Sequence, residues 1–322
     1  MVLLYDSADG FHFVRKLPAR SCVRTMYNPY KTRNGGATVT VFVPYDCKNN
    51  CPFCVNKAEY RDMTGFSLEK ICESIRLMDS ITPYCDFVFT GGEPFADLEQ
   101  LQAMLDCVPT THHVYINTTL PVSEHVTEED IVMFAHKNKD KISCINVSRH
   151  MQHYVVESND ALLRALPVPF RINCVLYKHY PADHLIPFCE RFLSIPGATI
   201  QFRFDYTETT PENLYDVEHD QIIKDLSSIA TYTFLDGCRM RCGFHFDYKG
   251  MEMVYHKTLP YSTIIETDPE DGVEYDILYD ILIKQNGEIH SDWSDAVRED
   301  VRLDIEGYRN VKFEPYDLRR LD

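Results

Sequence analysis

Short apolar runs and segments of helical spacing take turns through the middle of this chain. Strand-like runs fall at Thr38–Pro44, Phe87–Thr90, His113–Thr118, Ile142–Ser148, Phe170–Tyr177 and Thr199–Tyr206. Between them Leu68, Ile71, Ile75 and Met78 share one helical face, as do Leu98, Leu101 and Leu105. Thr127 stands three residues before Asp130, a capping-box start for a helix carrying Ile131 and Phe134. Further helices are predicted over Asp160–Leu166, Asp183–Leu193 and Val217–Ile229. Strands alternating with helices predict parallel βαβ units. Periodicity alone leaves an open doubly wound sheet and a curved partial barrel both standing.

The two ends read differently. Residues 1–36 are polar and irregular and close on Arg33-Asn34-Gly35-Gly36, a turn signal. Beyond Thr231 come strand-like runs with tight turns, at Phe244–Asp247, Glu252–His256, Tyr275–Lys284 and Glu288–His290. Asn286-Gly287 between two of them is a strong hairpin signal. The expected organisation is an N-terminal extension (1–36), a core α/β domain (37–230) and a C-terminal extension (231–322) forming a small antiparallel β appendage.

Composition narrows the class. With 44% hydrophobic and 25% charged residues, a chain of 322 has an ordinary globular balance. A formal net charge of −17 argues against bulk nucleic acid, which requires a basic face. The start lacks a basic stretch before its apolar residues, and no run is apolar enough to span a membrane, so a cytoplasmic protein is expected. Twelve cysteines are many for such a chain. Cys72, Cys85, Cys107, Cys144, Cys174 and Cys189 sit singly in apolar runs and read as small buried hydrophobes.

The exception is Tyr45-Asp46-Cys47-Lys48-Asn49-Asn50-Cys51-Pro52-Phe53-Cys54. Its three close thiols suit one metal centre, and thiolates at such spacing hold iron–sulfur clusters. A structural zinc site with a distant fourth ligand is the other reading of the spacing, although such sites usually use two separated pairs. The C-x3-C-x2-C spacing, with Phe53 before the last cysteine, resembles the signature of the radical S-adenosylmethionine (SAM) superfamily. A second match follows: the strand Phe87–Thr90 ends in Gly91-Gly92-Glu93-Pro94, which resembles that family's GGEP motif.

The resemblance covers residues 37 to about 206. It implies a (βα)6 partial TIM barrel, a [4Fe-4S] cluster on Cys47, Cys51 and Cys54, and SAM as second cofactor. It also implies reductive SAM cleavage to a 5′-deoxyadenosyl radical, with the electron coming from a donor such as flavodoxin or ferredoxin. Gly91, Gly92 and Glu93 are expected at the methionine ammonium and Phe53 against the adenine. Asn117 lies in a strand end that resembles a family motif in altered order. Asn146 and Ser148, on one face by period two, are expected at the ribose. Arg203 is expected at the methionine carboxylate.

Barrel active sites gather at the C-terminal ends of strands. There the chain places Arg149, His150, His153, Lys178 and His179, which suggests a small anionic, even nucleotide-like, substrate. The radical SAM branch that includes viperin is similar in this respect. A peptide maturase is the alternative, although residues 1–36 are short for a leader-binding winged helix. A non-catalytic metal or redox-sensing module is the alternative of another class. Cys238 and Cys242 lie where SPASM/twitch relatives carry auxiliary clusters, but no later cysteine follows. A buried thiol pair is expected there, and His245 or Cys22 could complete a site.

Overall fold

The computed structural model describes residues 37–43, 47–54, 65–82, 85–205, 216–236, 243–257, 263–267, 271–291 and 302–309, with 2–4, 12–15, 30–32, 208, 213 and 320–321. The turn expected at Arg33–Gly36 lies outside them. The core strands are β1 (Ala37–Val43), β2 (Cys85–Gly91), β3 (His113–Thr118), β4 (Ile142–Ser148), β5 (Phe170–Leu176) and β6 (Thr199–Phe204). Helices α1 (Leu68–Ile81), α2 (Leu98–Asp106), α3 (Glu128–Lys137), α4 (Asp160–Ala165), α5 (Leu185–Leu193) and α6 (Gln221–Ile229) alternate with them.

Most helices start where a short polar side chain meets their first unpaired N–H groups. Ser67 accepts from Lys70 N at 3.3 Å, Asp97 from Gln100 N at 3.0 Å, and Asn159 and Asp220 serve α4 and α6. The predicted capping box forms, with Asp130 N donating to Thr127 Oγ1 and Thr127 N to Asp130 Oδ2.

Strands β1 to β6 pair in parallel and in sequence order. A doubly wound sheet reverses its order at a switch point, so the consecutive order excludes that alternative. With right-handed crossovers, it puts the helices on one face. The apolar positions agree: Val41, Phe89, Ile116, Val147, Ile172 and Phe202 join Ile75, Leu101, Ile131 and Phe192 of the helices in one buried cluster. Burying each such side chain stabilises the fold by about 1.5–3 kcal/mol.

The alternate residues point to the other face, and they are polar. Tyr115 and Asn117 lie there on β3, Cys144 and Asn146 on β4, Arg171 and Asn173 on β5, and Gln201 and Arg203 on β6. On β4 a bulge keeps this phase: Val114 faces Ile142 but Tyr115 faces Cys144. The residue passed over, Ser143, takes the Val114 N–H on its hydroxyl at 3.2 Å.

The C-terminal strands correct the expectation of a small antiparallel appendage. β7 (Thr231–Asp236), β8 (Gly243–Tyr248) and β9 (Met251–His256) do form an antiparallel meander. Yet β9 pairs in parallel with β6, and β12 (Asp280–Ile283) pairs in parallel with β1. Further strands are β10 (Thr263–Thr267), β11 (Glu274–Leu278), β13 (Ile289–His290) and β14 (Arg320–Leu321), with a short helix α7 (Ile305–Tyr308). The result is one mostly parallel twelve-stranded sheet, ordered β13-β12-β1-β2-β3-β4-β5-β6-β9-β8-β7-β14. An uncovered β1 or β6 would present a row of unpaired backbone groups, and the C-terminal strands occupy both edges.

Residues 1–36 also hold short strands, at Val2–Leu4, His12–Arg15 and Tyr30–Thr32, the last pairing in parallel with β11. The predicted Asn286-Gly287 turn joins β12 to β13, with Lys284 N donating to Glu288 O at 2.8 Å. Gly287 has φ +82°, and a Cβ there would lie 2.7 Å from the backbone carbon of Lys70, so no other residue fits.

Candidate functional site

Cys47, Cys51 and Cys54 lie in the segment after β1, half-buried and outside any disulfide. Cys54 N donates to Cys51 O at 3.2 Å, which sets them on one turn. Cys51 Sγ reaches the carbonyl of Tyr154 at 3.5 Å. Burial pushes the Cys47 thiol up, and the nearby charges of Glu93 and Cys54 add to it, while hydrogen bonds from Asn49 oppose it. Among the described residues, no three His, Cys, Asp or Glu side chains stand ready-gathered around one metal ion. What fits the implied cluster is the donor set: three soft thiols, half out of solvent, on a loop beside the Gly91–Pro94 turn.

Asn49 ties this loop down. Its Nδ2 donates to Thr119 Oγ1 at 3.5 Å and approaches Cys47 Sγ at 3.7 Å, while its Oδ1 accepts from Val156 N at 2.9 Å. The sequence offered no signal for this role beyond the position of Asn49 between two cysteines.

At the end of β2, Gly91 has φ +124°, and a Cβ there would lie 2.8 Å from the carbonyl oxygen of Val43. Glycine is thus required by backbone conformation and by the approach of β1. Gly92 follows in a half-buried bend. Glu93 is 5% exposed and its carboxylate is filled from within the protein. Oε1 accepts from Phe95 N at 3.1 Å and from the Thr118 hydroxyl; Oε2 accepts from Thr119 N and Thr119 Oγ1, both at 2.8 Å. Four donors match the roughly four acceptor sites of a carboxylate. Burial raises its pKa, and these hydrogen bonds hold against the rise. Glu93 therefore fastens the end of β2 to the end of β3.

The strand-end cations separate into different surroundings. Arg149 was expected at substrate, yet its side chain is 0% exposed. Its guanidinium donates to Thr119 O at 3.0 Å, Ser148 O at 2.9 Å and Ser158 Oγ at 2.8 Å, and lies 3.8 Å from Glu157. That corrects the expectation: this arginine holds the β3 and β4 ends to the following loop. His150 is also buried, and its Nδ1 accepts from Val175 N at 3.2 Å. Burial, helped by the charge of Arg149, pulls its pKa down to about 4, so the ring is neutral. Lys178, His179 and His153 are exposed. Lys178 Nζ stands 5.0 Å from the centre of the Tyr177 ring and lines a cavity of about 280 Å³ with Tyr180, Phe204, Glu208, Asp216 and Lys257.

Phe53 meets His150 at 4.9 Å between ring centres, Tyr154 at 5.3 Å and Tyr177 at 5.5 Å. Tyr154 entered this wall unannounced by the sequence, because its loop carries no periodic pattern. On the polar face Asn146 Nδ2 donates to Asn117 Oδ1 at 2.9 Å, joining two of the expected cofactor residues. Ser148 is half-buried at the end of β4, and Arg203 is exposed on β6, in register with Val175 and His256. Arg171, which drew no attention in the sequence, lies beside Asn146 in register and donates to Gln201 Oε1 at 2.7 Å. Its signal was available, since Arg171 and Asn173 share the period-two face of their strand. Cys22, Cys238 and Cys242 lie outside the described residues. His245 stacks on Phe234 at 4.0 Å.

Residues 34–151 match the family model of the 4Fe-4S single cluster domain. The matched stretch contains the cysteine triad and the Gly91–Pro94 turn. Solved structures with a similar fold include Streptococcus suis SuiB bound to S-adenosylmethionine, at 13% identity and TM-score 0.51, covering 81% of this chain and 60% of that one. SuiB bound to precursor peptide SuiA follows at 12% identity and TM-score 0.50, covering 78% and 58%. The chain thus spans about three fifths of the SuiB chain, and at this identity the likeness concerns the fold. No curated protein sequence matches it significantly. Triad, GGEP turn, ordered parallel sheet and family model all point in one direction, to a likeness with the radical SAM superfamily and its cofactors, a [4Fe-4S] cluster and SAM.

Proposed function

We propose that this chain is a radical SAM enzyme whose cluster is held by Cys47, Cys51 and Cys54. The observation that carries this is the run of three half-buried thiols, none in a disulfide, beside the Gly91–Pro94 turn, with Cys47 within electrostatic reach of Glu93. When bound, the cluster and SAM supply a 5′-deoxyadenosyl radical that abstracts hydrogen from the substrate. The chain's own residues bind and orient. The wall of Phe53, His150, Tyr154 and Tyr177 suits a flat adenine, and a neutral His150 adds no charge to it. Gly91 and Gly92 admit the methionine end closely, and Glu93 fixes that turn without spending its carboxylate on the ligand. Asn117, Asn146 and Ser148 serve the ribose side, and Arg203 the methionine carboxylate. Residues 37–230 form the partial barrel, residues 1–36 and 231–322 its extensions, and a flavodoxin or ferredoxin supplies the electron.

The substrate in this reading is a small anionic molecule. A second reading, a peptide substrate, is favoured by the fold likeness to SuiB, which was solved with a precursor peptide.

The test is anaerobic reconstitution followed by iron and sulfide analysis. Wild-type protein should turn brown, bind about four irons per chain and release 5′-deoxyadenosine with dithionite and SAM. Each of Cys47→Ala, Cys51→Ala and Cys54→Ala should lose both. One tightly held zinc and no iron in strictly anaerobic wild-type protein would overturn the proposal.

A further inference from the structure

We infer that Arg171 is the anchor for an anionic oxygen-bearing group of the substrate, carboxylate or phosphate, on the polar face of the sheet. This rests on the reading of that face as the reaction chamber.

In a chain of net charge −17, a half-buried guanidinium would be expected to find a carboxylate. Arg171 has none among the described residues; its one hydrogen bond goes to the neutral amide oxygen of Gln201 at 2.7 Å. Arginine carries five N–H donors in a flat fork, so most of that fork is unclaimed. Leaving a half-buried charge without a counter-ion costs stability unless a ligand supplies it.

The surroundings are built to present it. Gln201 is 3% exposed and sits on β6, two strand positions from Arg203, so it holds the guanidinium over the sheet. On the other side Asn146 lies beside Arg171 in register, and its amide is already engaged with Asn117. Tyr115 and Cys144 lie within electrostatic reach of Arg171, and Tyr115 also feels the charge of Asp86. Asn173, next on the same face of β5, has a buried side-chain oxygen without a hydrogen-bond partner. That oxygen suits an N–H or O–H of the same ligand. Arg149 and His150 at the end of β4 do not compete for this role, because Arg149 is consumed within the protein and His150 is neutral.

The test uses the full chain, reconstituted anaerobically, with thermal shift and titration calorimetry at constant ionic strength set by chloride. The probes are inorganic phosphate and glutarate, whose separate isotherms tell a phosphate site from a carboxylate site. Wild-type protein should bind at least one of them. Arg171→Gln should weaken that binding by at least about tenfold, and Arg171→Lys by less, since a point charge remains. Gln201→Glu should also abolish it while keeping the arginine, because it supplies the missing carboxylate from within. Unchanged affinity in Arg171→Gln or in Gln201→Glu overturns the inference, as does a wild-type protein that binds neither anion. Iron content of the same samples reports the cluster reading separately: a chain that binds phosphate through Arg171 but takes up no iron overturns that reading and not this site.

Discussion

Replacing Arg149 tests whether this buried arginine is part of the frame or meets a solute. In Arg149→Ala, Thr119 O, Ser148 O and the Ser158 hydroxyl lose their donor, and Glu157 loses one of its two arginines among the described residues, keeping Arg191 at 2.8 Å. The side chain is 0% exposed, so water has no easy route to replace it. Removing one partner from a buried, hydrogen-bonded charge network costs about 3–5 kcal/mol. For a large domain each kcal/mol is worth roughly 2–4 °C, so the melting temperature should fall by roughly 6–20 °C. Arg149→Lys should recover only part of this, because one ammonium cannot reach three acceptors set around a planar fork. Circular dichroism melts of metal-free protein at pH 7 measure the effect without any cofactor. If Arg149→Ala melts within about 3 °C of wild type, the structural role is wrong.

Two further outcomes are expected. His150 has a folded pKa of about 4 against an ordinary 6.5, so its contribution to stability is fully present above pH 6.5 and is lost as pH falls through 4. By pH 5 the loss should be about 2 kcal/mol, read as a lower urea midpoint, and His150→Phe should flatten that slope. Gly91→Ala should strain the turn by about 1–3 kcal/mol from its backbone angle alone, before the contact with Val43 is counted. A denaturation midpoint equal to wild type would count against the close approach of β1 and β2.

The strands of the core were legible because both of their faces leave a mark. Ile142–Ser148 is bounded as predicted, and the capping residues at Thr127 and Asp130 act as read. Helix α6 begins later than Val217, since Asp220 offers its carboxylate to the N–H groups of Ile222 and Ile223. The partners of the C-terminal strands were not legible. Alternation along Asp280–Ile283 says which side chains share a face but not that the strand will lie parallel to β1, far back in the chain. The cysteine triad and the GGEP turn could be found because their spacing is local. Arg149 was misjudged for the complementary reason: a charged residue at a strand end has the same sequence appearance whether it faces solvent, ligand or a ring of carbonyls.

Glu93 shows how far such a contact can reach. Its Oε2 receives the hydroxyl and N–H of Thr119, whose hydroxyl in turn receives Asn49, which approaches Cys47 and holds Val156. The carbonyl of the same threonine receives Arg149. One residue, Thr119, therefore joins the end of β2, the cysteine loop and the loop after β4. Each of these segments would be loosely held alone, because loops bury little and leave backbone groups unpaired. Linked through Thr119, their positions are no longer independent, and a change at the end of β2 is felt at the first cysteine. The altered order of the third-strand motif gains a physical meaning here: Thr118 and Thr119 together present three of the four donors that the buried carboxylate of Glu93 requires.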